Sequence, residues 1–229
     1  MKFEKVIKKL NEMARPENVE GMKRFGIIHE KNLGITVTKL RKFAKEIGEN
    51  HELAVKLWNT KIRDARMLAA CIEDPKKVSE EQVESWLKDI QCWDLCDHCC
   101  GHFFDQTPFA YDKAVEWSNR KEEFQKRAGF SLVAWLAVHD KKKDDKWFEE
   151  FLEIIKREST DERKYVKKAV NWSLRQIGKR NIDMNKKAIK TAKELIIKYD
   201  KTAKWIGKDA LRELKSKKIE KRLKLKKSK

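Results

Sequence analysis

The stretch at residues 126–132 reads Lys-Arg-Ala-Gly-Phe-Ser-Leu, and it returns in altered form at 167–174 and 208–211. Each copy has an alanine at its third position, and these alanines lie 41 residues apart: Ala128, Ala169 and Ala210. A period of about 40–47 residues in helical pairs is typical of HEAT and armadillo repeats. A small side chain at the same place in each pair lets neighbouring helices approach closely. The repeat predicts an α-α solenoid with a concave basic groove; the alternative is a plain helical bundle with coincidental alanines.

The rest of the chain also favours an all-α fold. Only 8 Gly and 3 Pro occur, too few for the tight turns of an all-β protein. Ser79 starts a capping box with Gln82 reaching back, and Thr107-Pro108 is a predicted helix start. No segment shows strand alternation. The helical pattern predicts helices at 2–14, 17–26, 37–47, 50–58, 61–73, 80–90, 93–104, 108–118, 121–139, 145–158, 161–178, 184–199 and 202–215.

Composition limits the class of protein. The 229 residues are 40% hydrophobic and include 8 Trp and 10 Phe, so a sizeable core is available and global disorder is excluded. No apolar run reaches the roughly 18 residues of a membrane span, and the N-terminal residues lack the apolar region of a secretion signal. We expect a soluble, cytoplasmic protein with one repeat domain over 1–214 and a basic tail over 215–229.

The net charge of +18 indicates a polyanionic partner. The tail holds nine basic residues and one Glu, which gives +8, and the remaining residues contribute +10. A run of basic residues can be only a solubilising or nonspecific arm. The net charge of +10 on residues 1–214 therefore needs an explanation of its own.

Four of the five cysteines lie within nine residues of one another, at the start of and inside the predicted helix 93–104: Cys92, Cys96, Cys99 and Cys100. Residues three and four apart share a helix face, so the first three form one stripe. The spacing occurs in iron–sulfur loops of radical enzymes, and zinc is a second possibility. A continuous helix, however, directs these side chains away from a common centre. Buried cysteines that pack as small hydrophobes are the favoured interpretation, with no metal and no disulfide framework.

Trp93 and Asp97 form a neighbouring stripe, one helical turn apart. On its own, this pair indicates a salt-bridged aspartate beside a core tryptophan. Lys126-Arg127 and Trp172, on later helices, widen the set of residues that suit a nucleic-acid site.

These motifs resemble those of the AlkD-type DNA alkylation repair proteins. The resemblance rests on residues 93–97 (Trp-Asp-Leu-Cys-Asp), on 126–128 and on 167–179, and it extends from roughly Gly34 to Leu214. It implies a HEAT-like solenoid that acts as a DNA glycosylase on alkylated purines, without base flipping and without a cofactor. The implied partner is double-stranded DNA with alkylated bases, bound by a monomer.

The resemblance also implies roles for individual residues. Asp97 matches the catalytic aspartate, and the other catalytic-site positions match Trp93, Arg127 and Trp172. The DNA-binding residues would be Lys126, Arg127, Lys168, Arg175 and Lys179. Two other functions remain open: a noncatalytic HEAT protein that binds damaged or branched DNA, and a protein-binding HEAT adaptor, since a fold alone does not fix function.

Overall fold

The structure, a computed structural model, describes residues 1–198 and 200–227. Within those residues the chain is all-α, and its β-type pairing is limited to an isolated bridge between Lys31 and Ile62. The predicted fold class is confirmed. The chain divides into two compact units, Met1–Ala110 and Tyr111–Lys229. The assignment of 1–214 to a single domain stays a prediction.

The helices of the first unit, in chain order, are α1 (Phe3–Glu12), α2 (Pro16–Arg24), α3 (Val37–Ile47), α4 (His51–Asn59), α5 (Arg63–Ile72), α6 (Glu80–Lys88) and α7 (Trp93–His102), followed by a 3-10 turn at Phe104–Gln106. The helices of the second unit are α8 (Ala110–Ser118), α9 (Glu123–His139), α10 (Asp145–Glu158), α11 (Lys164–Ile177), α12 (Ile182–Ile197), α13 (Lys201–Leu214) and α14 (Lys217–Lys227).

All thirteen predicted helices are present, with ends that differ by up to three residues. The predicted start at Thr107-Pro108 is wrong: α8 begins at Ala110, and the Thr107 hydroxyl donates to the carbonyl of Phe104 at 2.8 Å in the preceding 3-10 turn. The last residue of the predicted helix 184–199 lies outside the described residues, as do 228 and 229 of the tail.

The capping box at Ser79 is half correct. Its hydroxyl accepts the backbone N–H of Gln82 at 3.3 Å, as predicted. The side-chain amide of Gln82 does not reach back, because it donates to the carboxylate of Glu73 at 2.8 Å.

The basic tail contains a helix that the sequence analysis did not predict. Helix α14 buries Ile219 and Leu223, which lie one turn apart, and it packs against α12 and α13. With so few apolar residues among so many lysines, the local pattern predicts a solvated arm. Contact with the preceding helices supplies the stabilisation that the tail sequence lacks.

A buried carboxylate fixes the connection between α2 and α3 in the first unit. Asp64 on α5 is fully buried and accepts the backbone N–H groups of Leu33 at 2.7 Å and Ile35 at 3.0 Å. The neighbouring Arg63 donates to Asp64 at 3.0 Å. Charge-assisted bonds of this kind anchor a loop firmly, so α5 acts as the framework for the loop that precedes α3.

In the second unit, α9, α11 and α13 pack side by side, and each carries one of the repeated alanines. Ala128, Ala169 and Ala210 are all fully buried. Close approach is tightest at Gly129, where an added Cβ would lie 2.4 Å from the backbone nitrogen of Ser118. The prediction that small residues lie at the helix contacts is confirmed.

Candidate functional site

Helix α7 carries the cysteine-rich segment and one half of the predicted site. The four cysteines of this segment, Cys92 just before the helix and three within it, are at most 2% exposed. Burial raises the pKa of the Cys99 and Cys100 thiols well above the ordinary value. Thiols in that state are weak nucleophiles. The interpretation of this cysteine group as core packing is confirmed.

An ion-pair network holds the first turn of α7. Asp94 accepts from Arg63 of α5 at 2.7 Å and pairs with the imidazole of His29 at 2.9 Å. Burial alone would raise the pKa of Asp94, but the His29 hydrogen bond and the Arg63 charge outweigh it and hold that pKa well below its ordinary range. Asp94 is therefore ionised and committed to structure, a role that the sequence analysis did not assign.

Trp93 and Asp97 are both partly exposed, one turn apart on α7. The indole N–H of Trp93 donates to the backbone carbonyl of Phe25 at 3.1 Å. After burial and the neighbouring Cys96, the Asp97 charge also contributes to the raised pKa of Cys100. The predicted pair is thus on one helix face, with a tryptophan fixed by the loop after α2.

The loop after α2 adds apolar side chains that the sequence analysis did not identify. Phe25 is 73% exposed and Ile28 is 68% exposed. Lys23 and Arg24 precede them at the end of α2. The sequence signal that could have identified them is a pair of apolar residues that follows two basic residues and does not fit a helical period.

The other predicted residues lie in the second unit. Arg127 on α9 is 5% exposed, and its guanidinium donates to the backbone carbonyl of Tyr165 at 2.5 Å. Lys126 pairs with Glu158 at 2.5 Å and with Asp161 at 3.3 Å. Both cations therefore bridge from α9 to the α10–α11 region.

Trp172 on α11 is partly exposed and meets Trp135 of α9 edge to face, with ring centroids 5.6 Å apart. Trp135 in turn lies against His139, with centroids 4.9 Å apart. The sequence analysis identified Trp172 but missed Trp135, which is 37 residues away in the chain.

The predicted DNA-binding residues of α11 and its C-terminus differ in their environment. Lys168 is exposed. Arg175 and Lys179 both pair with Glu213 of α13, the lysine at 2.7 Å. Burial would raise the pKa of Glu213, but the hydrogen bonds of these two cations lower it. Arg175 also lies 3.9 Å from a carboxylate oxygen of Asp209, so the two cations face two carboxylates.

Comparison with known families decides the class of this protein. The family profile described as DNA alkylation repair enzyme matches residues 6–214. The chain belongs to this family. The match covers every residue considered above as catalytic or DNA-binding, and it confirms the resemblance seen in the motifs.

A solved structure supports the fold of this DNA alkylation repair family member. The chain is similar to a structure from a family of proteins described as related to the HEAT-like repeat DNA glycosylases, with affinity for branched DNA structures. The two are 24% identical, with a TM-score of 0.77 over 93% of this chain and 95% of the other. Comparison with curated protein sequences finds no match. Among the described residues, no helix has the length and apolar character of a membrane span.

Proposed function

We propose that this chain is a DNA glycosylase that hydrolyses the N-glycosidic bond of cationic purines alkylated at N3 or N7. The proposal rests on Asp97, the partly exposed carboxylate that lies one turn from Trp93 in a DNA alkylation repair family member. Asp94, the other carboxylate of α7, is paired with Arg63 and His29 in the interior of the first unit. Only Asp97 of this pair has both the position and the exposure for work on a substrate.

The chemistry suits a carboxylate and aromatic faces. Alkylation at N3 or N7 gives the purine a positive charge and weakens its bond to the sugar. Cleavage develops oxocarbenium character on the sugar, which a nearby carboxylate stabilises while it positions the attacking water. The faces of Trp93 and Trp172 attract cations. No redox step or group transfer to the protein is involved.

Binding of the DNA backbone completes the proposal. The exposed Lys168 is the phosphate-binding candidate with the most accessible positive charge, whereas Arg175 and Lys179 together face Glu213 and Asp209. Lys126 faces two carboxylates by itself, so we expect it to contribute less to phosphate binding. Arg127 would position a flanking phosphate from a side chain fixed by Tyr165.

The direct test is base release from methylated duplex DNA. We expect free N3-methyladenine or N7-methylguanine and abasic sites with the native chain. Asp97→Asn should slow release by at least about 100-fold while changing the DNA dissociation constant less than twofold. Asp97→Asn that releases base at the native rate, or a native chain that releases none, would contradict the proposal.

A noncatalytic role in binding branched DNA is the second candidate. Exposed apolar side chains such as Phe25 and Ile28 can pack against the faces of bases that have lost a stacking neighbour where a duplex is interrupted. A related solved protein belongs to a family with affinity for branched DNA structures. This function predicts tighter binding to a four-way junction than to a duplex, a preference lost in Phe25→Ala, and no abasic product. Equal affinity for both DNAs would remove this candidate.

A further inference from the structure

A cysteine outside the crowded segment meets two histidines of α7. The Sγ of Cys71 and one ring nitrogen each of His98 and His102 lie within 4.8 Å of one another. Thiolate and imidazole are the donor types that zinc selects in proteins. The cysteine stripe of α7 packs in the core, so this cluster is a separate feature.

Two helices bring these donors together. His98 and His102 are four residues apart and share one face of α7, with ring centroids 4.4 Å apart and ring planes at 89°. Cys71 is the residue before the end of α5, and its Sγ lies 3.3 Å from Nε2 of His98. In a tetrahedral zinc centre, bonds of about 2.3 Å to sulfur and about 2.0 Å to nitrogen put neighbouring donors roughly 3.5 Å apart. The Cys71–His98 separation already matches that value.

The hydrogen bonds of the two imidazoles bear on the site in different ways. Nδ1 of His102 lies 2.9 Å from the carbonyl of Gly101, an arrangement that fixes the tautomer with Nε2 as the ligand atom. Nε2 of His98 lies 2.9 Å from the carbonyl of Met67. For His98 to ligate through Nε2, its proton must move to Nδ1 and the bond to Met67 must be given up in exchange for the bond to the metal.

The cluster opens to solvent. Cys71 and His102 line a cavity of about 310 Å³, together with Glu49 and Gln106. Three protein ligands leave a fourth position for water. Arg41, Lys45 and Glu49 also line the cavity, so the thiolate of Cys71 is the negative ligand that offsets part of the charge of a divalent ion. The cavity also supplies the entry path that a metal site requires.

A second group of donors lacks these properties. His29, Cys92 and Asp94 also lie close together, but both oxygens of Asp94 are occupied, one by Arg63 and one by His29. Removal of that carboxylate from Arg63 would break a buried ion pair and leave the guanidinium with Asp64 alone, which is costly.

We propose that Cys71, His98 and His102 form a binding site for a zinc-class divalent cation, with water as the fourth ligand. As the bond from the metal to Sγ forms, the thiol proton passes to solvent, and the ion remains divalent throughout. The site is independent of the proposed base-release activity.

The test uses cobalt(II) as a spectroscopic probe of the full chain, reduced and stripped of metal by chelator. We expect one cobalt per chain, with a thiolate-to-cobalt charge-transfer band, visible bands of tetrahedral intensity and displacement by zinc. Cys71→Ser should abolish the charge-transfer band and weaken zinc binding by at least about 100-fold, and His102→Ala should weaken it by about 10-fold or more.

Cys92→Ser is the matched control, because it removes a thiol from the other donor group and should leave the spectrum unchanged. Far-ultraviolet circular dichroism checks that each variant folds. If Cys71→Ser does not fold, the partly exposed His102 decides the question through His102→Ala. Absence of the band in the native chain, its persistence in Cys71→Ser or its loss in Cys92→Ser would overturn the proposal, whether or not the chain releases bases from DNA.

Discussion

Asp94 and Asp97 lie three residues apart on α7, yet their surroundings differ. Asp94 is buried in a pair with Arg63 at 2.7 Å, and Asp97 is partly exposed. Their sequence contexts are almost the same, since each follows an apolar residue in a cysteine-rich helix. The difference comes from residues 31 and 65 positions away that approach only one of them.

Substitution of the two aspartates should separate stability from activity. Asp94→Asn removes one of the two carboxylates that pair with the buried Arg63 and should lower the free energy of unfolding by about 3 kcal/mol. Asp97→Asn should change it by less than about 0.5 kcal/mol. Urea denaturation followed by tryptophan fluorescence measures both. Equal losses of stability in the two variants would contradict the assignment of roles.

The pH dependence of stability should report the same ion pair. The pKa of Asp94 is lowered in the folded chain, below the unfolded value of about 3.9. Its stabilisation is therefore present above that pH and is lost as the pH falls through the folded pKa. We expect the stability difference between the native chain and Asp94→Asn to shrink as pH falls below about 4. A difference that stays constant over this range would contradict the pairing.

Helix contacts in the second unit depend on small residues. The close contact of Gly129 with Ser118 lets α9 lie directly against the end of α8. The repeat predicted that these helices pack closely, because the period and the small size of the alanines can both be read directly from the sequence. It did not predict which glycine lies at the tightest contact.

Gly129→Ala and Gly21→Ala form a matched pair of variants. The first introduces a methyl group 2.4 Å from backbone nitrogen and should destabilise the chain by about 1–3 kcal/mol. Gly21 lies inside α2 with nothing within 4 Å of an added Cβ. There alanine should stabilise by about 0.5–1 kcal/mol. Thermal unfolding measured by circular dichroism should shift in opposite directions, and a shared direction would refute the packing argument.

At the scale of the whole molecule, the C-terminal helix contributes both to the net charge and to stability. Helix α14 belongs to a segment that carries +8 of the net +18. It also buries Ile219 and Leu223, so it contributes to stability as well as to charge. The sequence analysis foresaw only the electrostatic contribution.

Two sets of changes in α14 should separate these contributions. Lys218, Lys221 and Arg222 changed together to Gln should make DNA binding less salt-dependent, by up to about 0.9 in the log–log slope for each phosphate that the helix no longer neutralises, with little change in stability. Ile219→Ala with Leu223→Ala should lower the free energy of unfolding by about 2–5 kcal/mol and leave the salt slope unchanged. Salt titrations of duplex binding and urea denaturation provide the two readouts. A salt slope that does not respond to the removal of three charges would show that α14 does not bind DNA.

The sequence by itself determined the helical class, the repeat alanines, the burial of the cysteine stripe and the family. All of these depend on composition, period or short motifs, which are properties of neighbouring residues. Only the tertiary structure decided that Asp94 pairs with Arg63, that Trp135 meets Trp172 and that Cys71 faces His98. These pairs join residues 27 to 37 positions apart, and no local pattern encodes them because they form only when separate helices pack.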